Sequence, residues 1–176
     1  IIPNALETCY YKDSLVAVPL YIDIALMFYR DDLLRKFSDY PELKKQLDES
    51  ITWEKFIELS KRFNINTNPF YIFQADDYEG LICSFTELMA NQNNPVVDAS
   101  GDLKLDTPEG KKSLQLLVDL VNKYNASPKS VTYLKENESY NLFAKDNGVF
   151  VRSWPSMIDD DNEFMNDEMK SNLRMA

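Results

Sequence analysis

Five consecutive residues, Asp76, Asp77, Tyr78, Glu79 and Gly80, gather acid-base and hydroxyl-binding groups just ahead of an apolar run. Paired carboxylates are the machinery of glycoside hydrolysis, one as acid and the other as base or nucleophile, about 5 to 10 Å apart. Residues adjacent in sequence point in different directions, however. Nothing around Asp76, Asp77 or Glu79 marks a carboxyl held against an apolar wall, which is what raises a catalytic acid's pKa. At the start of a helix the same acids are stabilised simply by the macrodipole, and that plainer reading is preferred to catalysis. Residues 98–106, DASGDLKLD, offer oxygens but lack the alternating ligand spacing and distal glutamate of a calcium loop. They read as a turn. Histidine is absent from the 176 residues, which removes the commonest general base and transition-metal ligand. Two cysteines alone cannot build a structural zinc site.

The tryptophans divide. Trp53 falls on an apolar helical face and is assigned to packing, whereas Trp154, between Arg152-Ser153 and Pro155, belongs to a turn with no core stripe around it. A turn tryptophan is a candidate platform for a ligand. The formal charge of −10 repels a polyphosphate backbone, so nucleic-acid binding is excluded. The hydrophobic fraction of 44% suits one domain with a core, or one lobe of something larger. No apolar run reaches the 18 residues or so that a spanning helix needs, and the first residues, IIPNALETC, lack the basic start of a signal peptide.

These groups need elements to hold them. Residues 14–30 are rich in β-branched and aromatic side chains and are divided by Pro19, which predicts strands at 15–18 and 24–29. A short helix follows at DDLLRKFS, another at 40–47, and a clearer one at ITWEKFIELSKRF with Thr52 as cap. FYIFQ (70–74) reads as a strand, 77–91 as a helix, and 92–106 as turns. The surest helix starts at Thr107-Pro108-Glu109, with Leu114, Leu117, Val118 and Val121 as its inward stripe. ESYNLFAKD is predicted as a short helix, NGVFVR as a strand, SWPS as a turn, DDDNEFMNDEMK as an acidic helical or loose stretch, and SNLRMA as a final strand. Strands alternating with helices make the chain α/β.

Taken together and in order, LVAVPLYIDIALMFYRDDLL, TWEKFIELSKRF, FQADDYEGLICSFTELM, LDTPEGKKSLQLLVDLV and AKDNGVFVRSWPS resemble the extracellular solute-binding proteins of ABC importers. The carbohydrate-binding group of the maltose- and trehalose-binding type is the nearest match, and the resemblance covers most of residues 5–157. The family's usual Gly-Gly is replaced here by NQNNPVVDAS. The resemblance implies a single lobe of a periplasmic-binding-protein type II fold, helices packed around a small mixed sheet, without the family's N-terminal lobe. It divides the chain into a first hinge-crossing segment (1–23), the body of the C-terminal lobe (24–150), and a second crossing with the start of the return (151–176).

What the resemblance implies chemically is binding without catalysis. A sugar presents hydroxyls and apolar C–H faces, so it asks for aromatic platforms and for carboxylates, which accept several hydroxyl donors at once. On that logic Asp76 or Asp77 and Tyr78 stand at a cleft edge, with Glu79 at the helix start. Gly80 lets the ligand approach the free N–H groups of the helix N-terminus. Asp23 is a second acceptor flanked by Tyr21, and Trp154 is the stacking platform, with Arg152 beside it ordering a carboxylate or bonding ligand. The implied partners are a sugar or oligosaccharide and the permease of an ABC transporter, with no cofactor and no metal. The implied location is extracytoplasmic. A Cys9–Cys83 disulfide fits that compartment, and closing so long a loop would contribute roughly 4 to 5 kcal/mol. Two other readings stay open: the ligand-binding ectodomain of a membrane receptor, and a glycoside-active enzyme.

Overall fold

The computed structural model describes residues 2–158 and 165–176. A short helix α1 (Pro3–Glu7) leads into a hairpin of β1 (Tyr10–Tyr11) and β2 (Ser14–Leu15). After an exposed irregular stretch come β3 (Leu26–Arg30), α2 (Asp31–Leu34), α3 (Tyr40–Glu49), α4 (Trp53–Ser60), β4 (Tyr71–Ile72), α5 (Glu79–Ala90) and α6 (Pro108–Asn122). A 3-10 turn at Lys129–Tyr133 precedes α7 (Glu136–Lys145) and β5 (Phe150–Ser153). A second 3-10 turn at Pro155–Ile158, then α8 (Asp167–Asn172) and β6 (Leu173–Met175), complete the order. The acidic stretch predicted as helical or loose falls partly on 159–164, outside the described residues. Its remainder forms α8, capped by Asn166, whose side chain accepts from the Met169 amide at 2.8 Å.

Four strands form one mixed sheet in the order β4-β5-β3-β6. β3 runs antiparallel to both neighbours, with Leu26 opposite Ser153 and Phe28 opposite Met175, and β4 runs parallel to β5. The sheet centre is buried on both faces, so β5 reads as an unbroken buried run rather than an alternation. Phe56 of α4 stands over it, 4.7 Å from the Phe70 ring and 4.9 Å from Phe150, which makes an aromatic nucleus of the core. This is the expected α/β arrangement of helices around a small mixed sheet.

Two expectations are corrected. The strand predicted at 15–18 shrinks to Ser14–Leu15, because Lys12 and Asp13 both take positive φ and fold the chain back on Tyr10–Tyr11. Beyond it, Val16, Val18, Leu20 and Tyr21 are exposed, and Pro19 has no amide to offer a ladder. On α6 the buried face is Gly110, Ser113, Leu117, Leu120 and Val121, while Leu114 and Val118 of the predicted stripe are 55% and 45% exposed. The predicted stripe was misplaced by part of a turn because Ser113 looks polar. Its hydroxyl is satisfied inside, donating to Glu109 O at 2.9 Å and accepting from Gln92 at 2.6 Å.

Candidate functional site

The site is built at the end of β5. Arg152 is the penultimate residue of β5, opposite Met27 of β3, and is only 3% exposed. A buried guanidinium must have its donors satisfied. Here two residues remote in sequence do so: Gln74 Oε1 accepts from Nη1 at 2.8 Å, and the Glu87 carboxylate accepts from Nε at 2.9 Å and from Nη2. Gln74 is itself buried, its amide donating to Ser139 Oγ at 2.7 Å and to the Arg152 carbonyl at 3.0 Å. Burial works against the charge on Arg152, but the Glu87 hydrogen bonds outweigh it and hold the guanidinium more firmly protonated than usual.

Trp154 follows directly. Its ring centre lies 4.0 Å from the guanidinium carbon of Arg152, a cation–π pair. The 3-10 turn that begins at Pro155 fixes its backbone through Met157 N, which donates to Trp154 O at 3.1 Å, and Ser153 Oγ donates to the same carbonyl at 2.9 Å. The tryptophan is half-buried and faces a cavity of about 450 Å³, within the ~300–1,000 Å³ range of small-ligand pockets. Its walls are Tyr21, Asp23, Ala25, Glu79, Cys83, Thr86, Glu87 and Trp154. The four from α5 recur at spacings of 4, 3 and 1, one face of a helix. Asp23 is exposed and accepts from the Ile24 amide at 3.1 Å. The wall is thus acceptor-rich, with an aromatic face and a single buried cation behind it, an environment that suits hydroxyl donors and disfavours anions.

Of the residues expected at the site, Tyr21, Asp23, Glu79 and Trp154 meet around this cavity, and Arg152 stands behind Trp154, ordering the Glu87 carboxylate. Asp76, Asp77, Tyr78 and Gly80 are not in its wall. Tyr78 turns toward α7, donating to Glu136 Oε1 at 2.9 Å with Lys135 Nζ 5.4 Å from its ring centre. Asp76 pairs with the same lysine at 3.9 Å, and Asp77 is exposed. Burial and then the Glu136 contact push the Tyr78 phenol above its ordinary range.

The role expected of Gly80 is corrected. A Cβ there would stand 2.2 Å from the Tyr78 hydroxyl, so the space above this glycine is filled by the protein's own tyrosine rather than left for a ligand. The disulfide is corrected as well: Cys9 and Cys83 are free thiols. Cys9, in the turn after α1, points back toward Ala5 O at 3.6 Å, while Cys83 faces the cavity from α5. Burial raises the Cys83 thiol, against the lowering influence of Arg152.

Glu87 and Thr86 had not been picked out from sequence, and Cys83 had been picked out only as a disulfide partner. The spacing from Glu79 to Glu87 along one helix was the signal that could have found them. Trp53, assigned to packing, makes an edge contact with Phe56 at 5.5 Å but also lines a second, smaller cavity beside Arg152. Among the described residues no cluster of acidic or cysteine side chains is arranged to hold a metal ion, and no helix is long and apolar enough to cross a membrane.

Comparison with known proteins gives a consistent result. The family model of bacterial extracellular solute-binding proteins matches residues 2–170. A probable ABC transporter-binding protein of Deinococcus radiodurans is 32% identical over 143 residues, 81% of this chain and 33% of its own length. The structure of maltose-bound MalE3 from T. maritima matches with a TM-score of 0.82 at 30% identity, over 99% of this chain and 43% of that one. A solute-binding protein from Thermotoga lettingae bound with α-D-tagatose matches with a TM-score of 0.82 at 22% identity, over 100% of this chain and 44% of that one, a likeness of fold alone. The chain thus spans about a third of the curated relative's length, 33%, and under half of either solved structure.

Proposed function

From the premise that the chain belongs to the bacterial extracellular solute-binding proteins, we propose that it is the C-terminal lobe of a two-lobed, non-catalytic receptor for a sugar or oligosaccharide. The observation that carries this reading is Trp154: its ring packs against the Arg152 guanidinium and lines a cavity shared with Tyr21, Asp23 and Glu79. A ring stacked on the indole would present its hydroxyls to those acceptors. The maltose bound in MalE3, a relative 30% identical over 99% of this chain, supports the ligand class.

In this proposal residues 1–23 and 151–176 carry the hinge crossings and 24–150 the body. Closure of the lobes on the ligand yields the form recognised by the permease of an ABC transporter. The family supports an extracytoplasmic place of work. One lobe holds only half of the contacts. For a protein binding at about 1 μM, roughly −8 kcal/mol, half of that interaction leaves millimolar affinity at best. The test therefore uses the two-lobed parent protein.

Calorimetric titration with maltose, tagatose and mannitol is expected to give saturable micromolar binding of at least one. Trp154→Ala should weaken it by about 30-fold or more, the loss of about 2 kcal/mol expected of a central aromatic anchor. A wild-type protein that binds none of the three, or a Trp154→Ala protein that binds as wild type, refutes the reading.

A further inference from the structure

The cavity at Trp154 does not end at α5. Glu87 and Ala25 stand in its wall and also in the wall of the second cavity, of about 200 Å³, which reaches between β3 and α4 to Trp53 and Asn91. Glu87 is therefore the residue with a polar side chain common to both spaces. Its side chain keeps 44% exposure although Arg152, which grips it, keeps 4%. This asymmetry is the useful feature. The guanidinium approaches from the protein side, Nε donating to Oε2 at 2.9 Å and Nη2 to Oε1, and pins the carboxylate in one orientation. A carboxylate accepts about four hydrogen bonds, so acceptor capacity remains on the solvent side.

We propose that Glu87 is a ligand-contacting residue, an acceptor pre-oriented by Arg152 at the junction of the two cavities, which bonds hydroxyls of a ligand extending from Trp154 toward Trp53. This rests on the sugar-binding reading above and deepens it. Pre-orientation is where the affinity arises, because the rotamer entropy of a glutamate is already lost before the ligand arrives. The partial neutralisation by Arg152 matters equally. It lets an acidic wall containing Asp23 and Glu79 carry a third carboxylate without accumulating repulsion. The occupant is thereby defined chemically as uncharged, rich in hydroxyls, and longer than one ring.

The experiment is a cycle on the two-lobed parent protein, with maltose and its set of monodeoxy analogues as probes in calorimetry. Glu87→Gln keeps the size of the side chain and an acceptor for Arg152. It is expected to bind maltose about 10- to 100-fold more weakly, the range for a lost hydrogen bond to a charged group. At least one monodeoxy analogue should bind wild type about 10-fold more weakly than maltose, yet bind Glu87→Gln no differently from maltose. A merely structural role for Glu87 would lower all probes in parallel and leave the analogue's penalty intact, which overturns the proposal. Asn91→Ala leaves the Glu87–Arg152 pair untouched and should reduce maltose affinity about fivefold. Unchanged affinity there overturns the extension toward Trp53. Wild type that binds maltose while Glu87→Gln binds it equally well overturns this inference and leaves the sugar-binding reading standing. Wild type that binds no sugar overturns both.

Discussion

Arg152→Met is the perturbation that most directly tests how the platform is held. Methionine fills much of the volume of the arginine stem but donates nothing. Three consequences follow from the structure. Gln74 Oε1, on a residue 1% exposed, loses its donor, and a buried acceptor left unpaired costs about 1–3 kcal/mol. Glu87, with 44% exposure, rehydrates instead, so its loss counts for less than about 1 kcal/mol. The cation–π contact with Trp154 at 4.0 Å contributes about 1 kcal/mol. Against these, the desolvation of a guanidinium is relieved. The balance is a destabilisation of about 3 kcal/mol, a large share of the 5–15 kcal/mol typical of a domain. Urea unfolding followed by circular dichroism measures it, with the slope against denaturant unchanged. Arg152→Lys, which keeps the charge but cannot fork between Glu87 and Gln74, should lose about half as much. A change below about 0.5 kcal/mol in Arg152→Met would refute the reasoning, because it would mean that Gln74 and Glu87 are satisfied without the guanidinium.

Two further outcomes are expected. Gly110→Ala replaces a poor helix former with the best one, normally a gain of about 1 kcal/mol. A Cβ there would meet the Leu105 carbonyl oxygen at 2.1 Å, so thermal unfolding should show net destabilisation of about 2 kcal/mol or more, and a raised melting temperature would contradict it. Thiol labelling of the denatured, unreduced protein should find two free thiols, and in the folded protein the reaction of Cys83 should set in at higher pH than for an ordinary thiol. The sign follows from burial, which raises the folded thiol. Its contribution to stability is complete below the unfolded value and fades as pH rises through the folded one. A Cys83 rate profile centred below pH 9.0 would contradict the burial of that thiol.

Local signals carried much of the architecture. Thr52 and Thr107 cap where their neighbours said they would, because capping is settled within three residues. The order of strands and helices, the turn at 98–106 and the family motifs were equally legible. In that turn the Asp98 carboxylate accepts from Ser100 N at 2.8 Å and Asp102 N at 3.0 Å, which leaves it spent on its own loop. Trp154 stood out because a tryptophan among arginine, serine and proline belongs to no helical stripe.

What surrounds Trp154 was decided by the fold alone. Arg152 meets Glu87 across 65 residues and Gln74 across 78, distances over which no periodicity or spacing rule speaks. Tyr78 turns away to Glu136, 58 residues on, so a glycine read as an opening for ligand is instead the floor beneath a phenol. The thiols of Cys9 and Cys83 stay apart for the same reason, since one is directed back onto α1 by the turn that follows it and the other is carried by α5. Residue types alone argued against nucleic-acid binding, histidine chemistry and a structural zinc site, and set one tryptophan apart from the helical core stripes. Tertiary packing determined which carboxylates face the cavity at Trp154, because a buried guanidinium must find its anion and holds that anion where the sheet ends.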